Sequence, residues 1–266
     1  MDLNTFCERI RLSPGARWQL SLVEMDEGAY ARNKQLFVND RFRFFDSVKQ
    51  KAEYRRLFLY FFVRFAADAY EEYRIRGIED EVYDATFSDI ELWSSKCKED
   101  YGEYGIEEYN WLQEHVQLRL FRLGRLQFQP YPFDRDLVAD ERRIYQNQIV
   151  LNVHIPSGAP LYPEQVEDSF ERARCFFRGI TPIFMCHSWL LFPKLAEVLP
   201  PDSNIILFQK HFRIYHEDPD AREAEQRIFN RVEADITKYE ERSSLQRSAK
   251  AYLMAGNKLG SGYGIK

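Results

Sequence analysis

Apolar residues recur along the first part of the chain at three- and four-residue steps, the spacing of helices with one buried face. Residues 52–76 are dense in Tyr, Leu and Phe (Tyr54, Leu57, Phe58, Phe61, Phe62, Phe65), and Gly77 follows where a helix end is expected. That stripe predicts core packing. Val82, Tyr83, Phe87, Ile90, Trp93 and Cys97 continue the periodicity. A third helix is expected over 107–115, with Trp111, Leu112 and Val116 on one side. Together these segments predict a helical domain over residues 1–114.

The pattern changes near residue 115. Residues 118–129 (LRLFRLGRLQFQ) alternate apolar and polar positions, as strands with one buried face do, and Gly124 marks a turn or bulge. Pro130 and Pro132 force an extended or turning segment. Residues 149–155 (IVLNVHI) predict a strand, followed by the loop Pro156-Ser157-Gly158-Ala159-Pro160. Pro163 then opens a helix striped by Val166, Phe170, Ala173 and Phe177 and ended by Gly179. A second strand over 182–187 feeds a helix over about 189–199, which Pro200-Pro201 stops. Residues 204–215 (NIILFQKHFRIY) predict a long strand or a bent pair, and helices are expected over 219–229 and 244–255. The glycine-rich run 260–264 follows a helix with no strand before it, so it is expected to be a flexible or docking tail. The strands 149–155 and 182–187, joined by a helical crossover, should be parallel neighbours or near-neighbours. Residues 115–266 therefore predict a second, mixed-sheet domain. The chain as a whole is of α/β (α+β) class, with ligands expected beyond the carboxyl ends of the strands.

Composition narrows the function classes. The 266 residues carry 37 Lys and Arg against 42 Asp and Glu, a net charge of −5, which argues against a nucleic-acid backbone as partner. The longest apolar stretch, 57–63, is broken by Arg64 and is too short for a membrane span. The start Met1-Asp2-Leu3-Asn4 lacks the basic and apolar regions of a signal peptide. Cys7, Cys97, Cys175 and Cys186 have no Cys-x-x-Cys spacing, so neither a disulfide framework nor a zinc knuckle is expected, and the chain reads as cytoplasmic. His211 and His216 are five residues apart and point to opposite faces of a straight strand, and no metal-ligand motif is present. Asp134-Arg135-Asp136 beside Pro132 reads as a solvated turn.

The loop after the strand 149–155 carries the strongest candidate chemistry. Ser157, Gly158 and Ala159 are small enough for backbone N–H groups to approach a ligand closely, and the following helix adds unpaired donors and its positive dipole end. An ordinary strand-to-helix turn would look the same. Glu164, Glu167 and Asp168 in the first helical turns repel phosphate unless they point away. No Gly-x-Gly-x-x-Gly or Walker-type pattern is present, which argues against dinucleotide redox chemistry and nucleotide hydrolysis. His154 and His187 end the two strands and would share one crevice, where either could act as a general base. Cys186 and Ser188 flank His187, and alternation assigns Cys186 to the core.

Three stretches carry a family resemblance: residues 120–128 (LFRLGRLQF), 154–161 (HIPSGAPL) and 188–205 (SWLLFPKLAEVLPPDSNI). They are similar to bacterial acyltransferase-domain proteins that pair a helical N-acyltransferase domain with a GNAT-like C-terminal domain, and the similarity covers about residues 75–260. The resemblance implies direct attack of an amine on the thioester of an acyl-CoA, acetyl-CoA being the expected donor and a small molecule or peptide the acceptor. It also implies that the pyrophosphate lies on Ile155, Ser157, Gly158 and Ala159, that His154, His187 or Ser188 manages protons, and that no metal is needed. The family pattern Arg/Gln-x-x-Gly-x-Gly/Ala reads here Ile155-x-x-Gly158-x-Pro160, with the central glycine kept. Two other readings stay open: a non-catalytic ligand-binding or protein-interaction module on the same fold, and a hydrolase using Cys186 or Ser188 with His187.

Overall fold

In the computed structural model, which describes residues 1–139, 142–179 and 182–266, the chain divides into two units, Met1–Leu123 and Gly124–Lys266. Short polar side chains start the first helices. Asp2, Ser13, Asp26 and Asp40 cap α1 (Leu3–Arg9), α2 (Pro14–Ser21), α3 (Glu27–Asn39) and α4 (Arg41–Lys49), each accepting a backbone N–H three residues on. The 22-residue α5 (Tyr54–Ile75) buries Phe58, Phe61, Phe62 and Phe65. Phe65 stacks on Phe37 of α3 at 4.8 Å and Phe61 meets Phe44 of α4 edge-on at 5.1 Å. The aromatic stripe is therefore the core of this unit, each such ring pair adding about 0.5–1.5 kcal/mol beyond its burial.

The periodic run 82–97 forms two helices, α6 (Asp80–Phe87) and α7 (Asp89–Tyr101), which meet at Ser88. In α8 (Tyr109–Val116), Tyr109 stacks on Phe58 at 4.4 Å. His115 of α8 is buried with its Nε2 3.0 Å from Asp89 Oδ2, which ties α8 to α7. The short strand β1 (Phe121–Leu123) ends the unit.

In the second unit, β2 (Leu126–Pro132) opens the sheet, and β3 (Leu137–Ala139) pairs with β4 (Arg142–Ile144) in a small antiparallel ladder of its own. β5 (Ile149–His154) pairs antiparallel with β2 along its whole length, from Pro132↔Ile149 to Gln127↔His154. The crossover helix α9 (Pro163–Phe176) begins at Pro163, as the sequence predicts. It leads to β6 (Phe184–Ser188), which is parallel to β5. Among the described residues of this unit the strand order is β2-β5-β6-β8-β7, with β7 at Arg213–Asp218 and β8 at Ser261–Ile265. Phe170 of α9 meets Phe184 at 4.8 Å and Phe128 at 6.0 Å on one face of the sheet. On the other face Val150, Met185 and Ile265 pack with Phe133 and Ile144.

Three segments differ from the sequence expectation. The glycine-rich run 260–264 is no tail: β8 lies antiparallel between β6 and β7. Its glycines are required by close packing, because a Cβ on Gly262 would lie 2.3 Å from the Leu191 carbonyl oxygen. Residues 204–215 are not a continuous strand. Ser203 accepts the Ile206 N–H and starts the short α10 (Asn204–Gln209), and β7 follows. An apolar run of that length fits a buried helix as well as a strand. Residues 189–199 form two 3-10 turns, Trp189–Leu191 and Pro193–Glu197, because Pro193 cannot continue the first one. Beyond them α11 (Glu223–Phe229) and α12 (Ser244–Met254) close a second apolar cluster with Phe192, Leu195 and Ile206. Among the described residues, no helix is long and apolar enough to cross a membrane.

Candidate active site

Among the described residues, β5 and β6 are registered at Leu151↔Phe184 and Asn152↔Met185 alone. Past that point each strand keeps its outer neighbour. β5 pairs with β2 through Gln127↔His154, and β6 pairs with β8 through Ser188↔Gly262. The ladder between them thus stops short of both carboxyl ends, a wedge in the pairing edged by extended backbone. At its mouth the chain enters the loop before α9, where Ile155 is half-buried and Ser157, Gly158 and Ala159 are exposed. Gly158 has φ of +92°, a left-handed conformation natural only to glycine.

The two predicted histidines occupy the two arms of the wedge. Because Asn152 is level with Met185, alternation places His154 and His187 on the same face of the sheet. His154 is half-buried, its Nε2 3.1 Å from Gln129 Oε1. His187 is exposed, yet its ring is held firmly. It stacks on Tyr263 at 3.9 Å with an interplanar angle of 8°, and its Nε2 lies 3.0 Å from the hydroxyl of buried Ser261. Partial desolvation of the ring by the groups around it lowers the imidazole pKa below 6.5, against the opposing pull of Glu223 and Asp218, and His216 lowers it further. A histidine so placed is neutral near pH 7 and able to accept a proton.

Ser188 points to the other face, where its hydroxyl accepts the Leu190 N–H and starts the turn Trp189–Leu191. Cys186 lies fully buried on that same face, and desolvation pushes its thiol pKa well up. Neither geometry suits a nucleophile served by His187. His211 and His216 do not converge: His211 Nδ1 is 3.6 Å from Glu167, whereas the His216 ring sits 5.2 Å from Tyr263. Among the described residues, no group of His, Cys, Asp or Glu side chains could hold a metal ion. Asp134 pairs with Arg135 at 2.7 Å in an exposed turn.

Of the three acids at the start of α9, Glu167 and Asp168 are engaged by cations, whereas Glu164 in the first turn has no ion pair among the described residues. Asp168 is 2.7 Å from Arg172, and Glu167 lies 3.9 Å from Arg174 and 3.8 Å from Lys266. Three residues at the site escaped sequence reasoning. Ser261 and Tyr263 belong to the run 260–264, whose glycines on their own predict a tail. Arg125, at the start of β2, donates from Nε to the Pro160 carbonyl at 3.0 Å and from Nη2 to the Ala159 carbonyl at 2.5 Å. Its place in the stretch 120–128 was a signal, but nothing local tied it to a loop 34 residues away.

A helical unit followed by a mixed sheet with a split parallel pair defines the GNAT-like class of fold. Family models agree: residues 1–118 match the N-acyltransferase N-terminal domain and residues 120–266 the GNAT-like C-terminal domain. The chain belongs to the family that joins these two domains. It is similar to a solved acyltransferase in complex with decanoyl-CoA and teicoplanin, with 22% identity, a TM-score of 0.78, and 98% of this chain and 86% of that one covered. The complex of an acyltransferase with CoA and 10C-teicoplanin gives the same figures. An acyltransferase in complex with decanoyl-CoA covers 100% of this chain and 99% of that one, with 22% identity and a TM-score of 0.69. No curated protein matches significantly.

Proposed function

We propose that the chain is a CoA-dependent N-acyltransferase that moves an acyl group from acyl-CoA to the amine of a small molecule or peptide by direct attack. The observation that carries this reading is the wedge between β5 and β6, opening onto a loop of small residues at the start of α9. Extended backbone edges can pair with the amide-bearing arm of CoA as with an added strand. The backbone donors of Ser157, Gly158 and Ala159, backed by the helix dipole, suit the pyrophosphate. Similar structures that hold CoA or decanoyl-CoA favour this assignment, and one that holds teicoplanin favours a peptide-like acceptor.

In this mechanism His187 takes a proton from the acceptor amine as its nitrogen attacks the thioester carbonyl. The tetrahedral intermediate collapses with cleavage of the C–S bond, the acyl group stays on nitrogen, and the departing CoA sulfur takes up a proton. His154, held by Gln129, lines the opposite arm. The donor is an acyl-CoA, acetyl-CoA from the sequence and decanoyl-CoA from the similar structures, and a donor series decides between them. Calorimetry with CoA, acetyl-CoA and decanoyl-CoA, followed by turnover with amine acceptors, tests the proposal. Gly158→Val should abolish measurable CoA binding, with circular dichroism as folding control, because the side chain blocks the phosphates and its φ is strained. A wild type that binds CoA without turning over any amine would favour the non-catalytic module, and one that binds no CoA would overturn the reading.

A further inference from the structure

Residues 157–160 are exposed and contain a glycine at φ +92°, so little within the loop fixes its shape. Its order comes from behind. Arg125 is buried, 7% exposed, and its guanidinium donates to the carbonyls of Ala159 and Pro160 at once. The arginine is in turn anchored to α9: the Arg125 and Leu126 N–H groups donate to Ser169 Oγ at 2.8 and 3.3 Å. Ser169, fully buried, donates to the Gln165 carbonyl one turn back at 2.8 Å. The approach is tight enough to require Gly124, where a Cβ would lie 2.9 Å from Ser169 Oγ. One residue thus grips both the loop and the helix whose N-terminal dipole the loop presents.

Resting on the acyl-CoA reading above, we propose that Arg125 is a positioning residue for the pyrophosphate of acyl-CoA. It fixes the peptides 159–161 at the end of the loop, adjoining the Ser157–Ala159 donors, without touching the phosphates. In a trans peptide the N–H points opposite to the carbonyl, so drawing the Pro160 carbonyl onto the guanidinium turns the Leu161 N–H away from Arg125. The planar fork serves two carbonyls in fixed geometry, which a lysine ammonium cannot reproduce. The buried positive charge also stands behind the loop, where screening by solvent is weak.

Steady-state kinetics of Arg125→Lys and Arg125→Met, each checked by circular dichroism and thermal melting, test this. Both should raise KM for acyl-CoA about tenfold or more, the loss of a charged hydrogen-bond pair, while kcat and the acceptor KM stay within about twofold. Millimolar guanidinium ion should restore part of the lost CoA affinity in Arg125→Ala and do nothing for Gly158→Val. Variants with the wild-type KM for acyl-CoA would overturn the proposal and leave the enzyme reading standing. A uniform fall in kcat and in both affinities, without guanidinium rescue, would also overturn it, since that marks general structural damage. A wild type that binds no acyl-CoA removes the reading and the proposal together.

Discussion

His187 is where a single side chain can be asked for the most. Its ring cannot wander, since Tyr263 covers one face and Ser261 holds Nε2. If it is the base, His187→Asn should lower kcat by about 10²- to 10⁴-fold with CoA affinity unchanged. His154→Ala, measured alongside, separates the two imidazoles. The acid limb of the pH profile follows from the sign of the shift. Partial desolvation favours the neutral ring, so the folded pKa lies below 6.5 and the base-competent form survives to lower pH than in a free imidazole. The ratio of kcat/KM in the wild type to that in His187→Asn, which cancels the acceptor amine's own titration, should therefore be flat above pH 7 and fall as pH drops through a pKa under 6.5. A ratio that stays constant with pH, or that falls through a pKa above that value, would show that another group carries the proton. Both histidines were visible in the sequence because each ends an apolar run. Ser261 was not, because it reaches His187 across 74 residues through a strand pairing that local periodicity cannot reveal.

At the scale of elements, the crossover unit was the most legible part. Proline at the helix start, four apolar residues at helical spacing and the apolar runs on either side all point one way, and β5, α9 and β6 follow them. β8 was illegible because glycine signals flexibility when read alone and close approach when read in place. Gly264 pairs with both Cys186 and Ile214, and a Cβ there would sit 2.7 Å from Phe212 Cβ and 3.0 Å from Leu191 Cδ1. Gly264→Val should therefore overpack the helical layer and cost about 1–3 kcal/mol or more. A urea titration with an unchanged midpoint would mean that the layer yields freely. Likewise α10 was hidden by its own composition, since Ile205, Ile206, Leu207 and Phe208 suit either a strand or one buried helical turn. Only the Ser203 cap decided between them.

For the molecule as a whole, charge and cofactor chemistry pull in opposite directions. A chain of net charge −5 must bind a polyanion if the acyl-CoA reading holds. The site resolves this in part locally: Glu167 and Asp168 of α9 are paired with cations, Glu164 alone of the three acids stands without an ion pair among the described residues, and the loop offers oriented N–H groups instead of a basic patch. Dipoles act within the first helical turn, whereas net-charge fields reach about one Debye length, roughly 10 Å at 0.1 M salt. Added salt then screens a general repulsion and removes no set of phosphate-contacting lysines. The affinity for CoA should consequently change by less than about threefold between about 0.05 and 0.5 M NaCl, and any trend should be toward tighter binding. Calorimetry across that range checks it. A steep loss of affinity with salt would mean that basic side chains, and not the 157–159 backbone, hold the pyrophosphate, as they hold the phosphates of nucleic acids in strongly salt-dependent complexes.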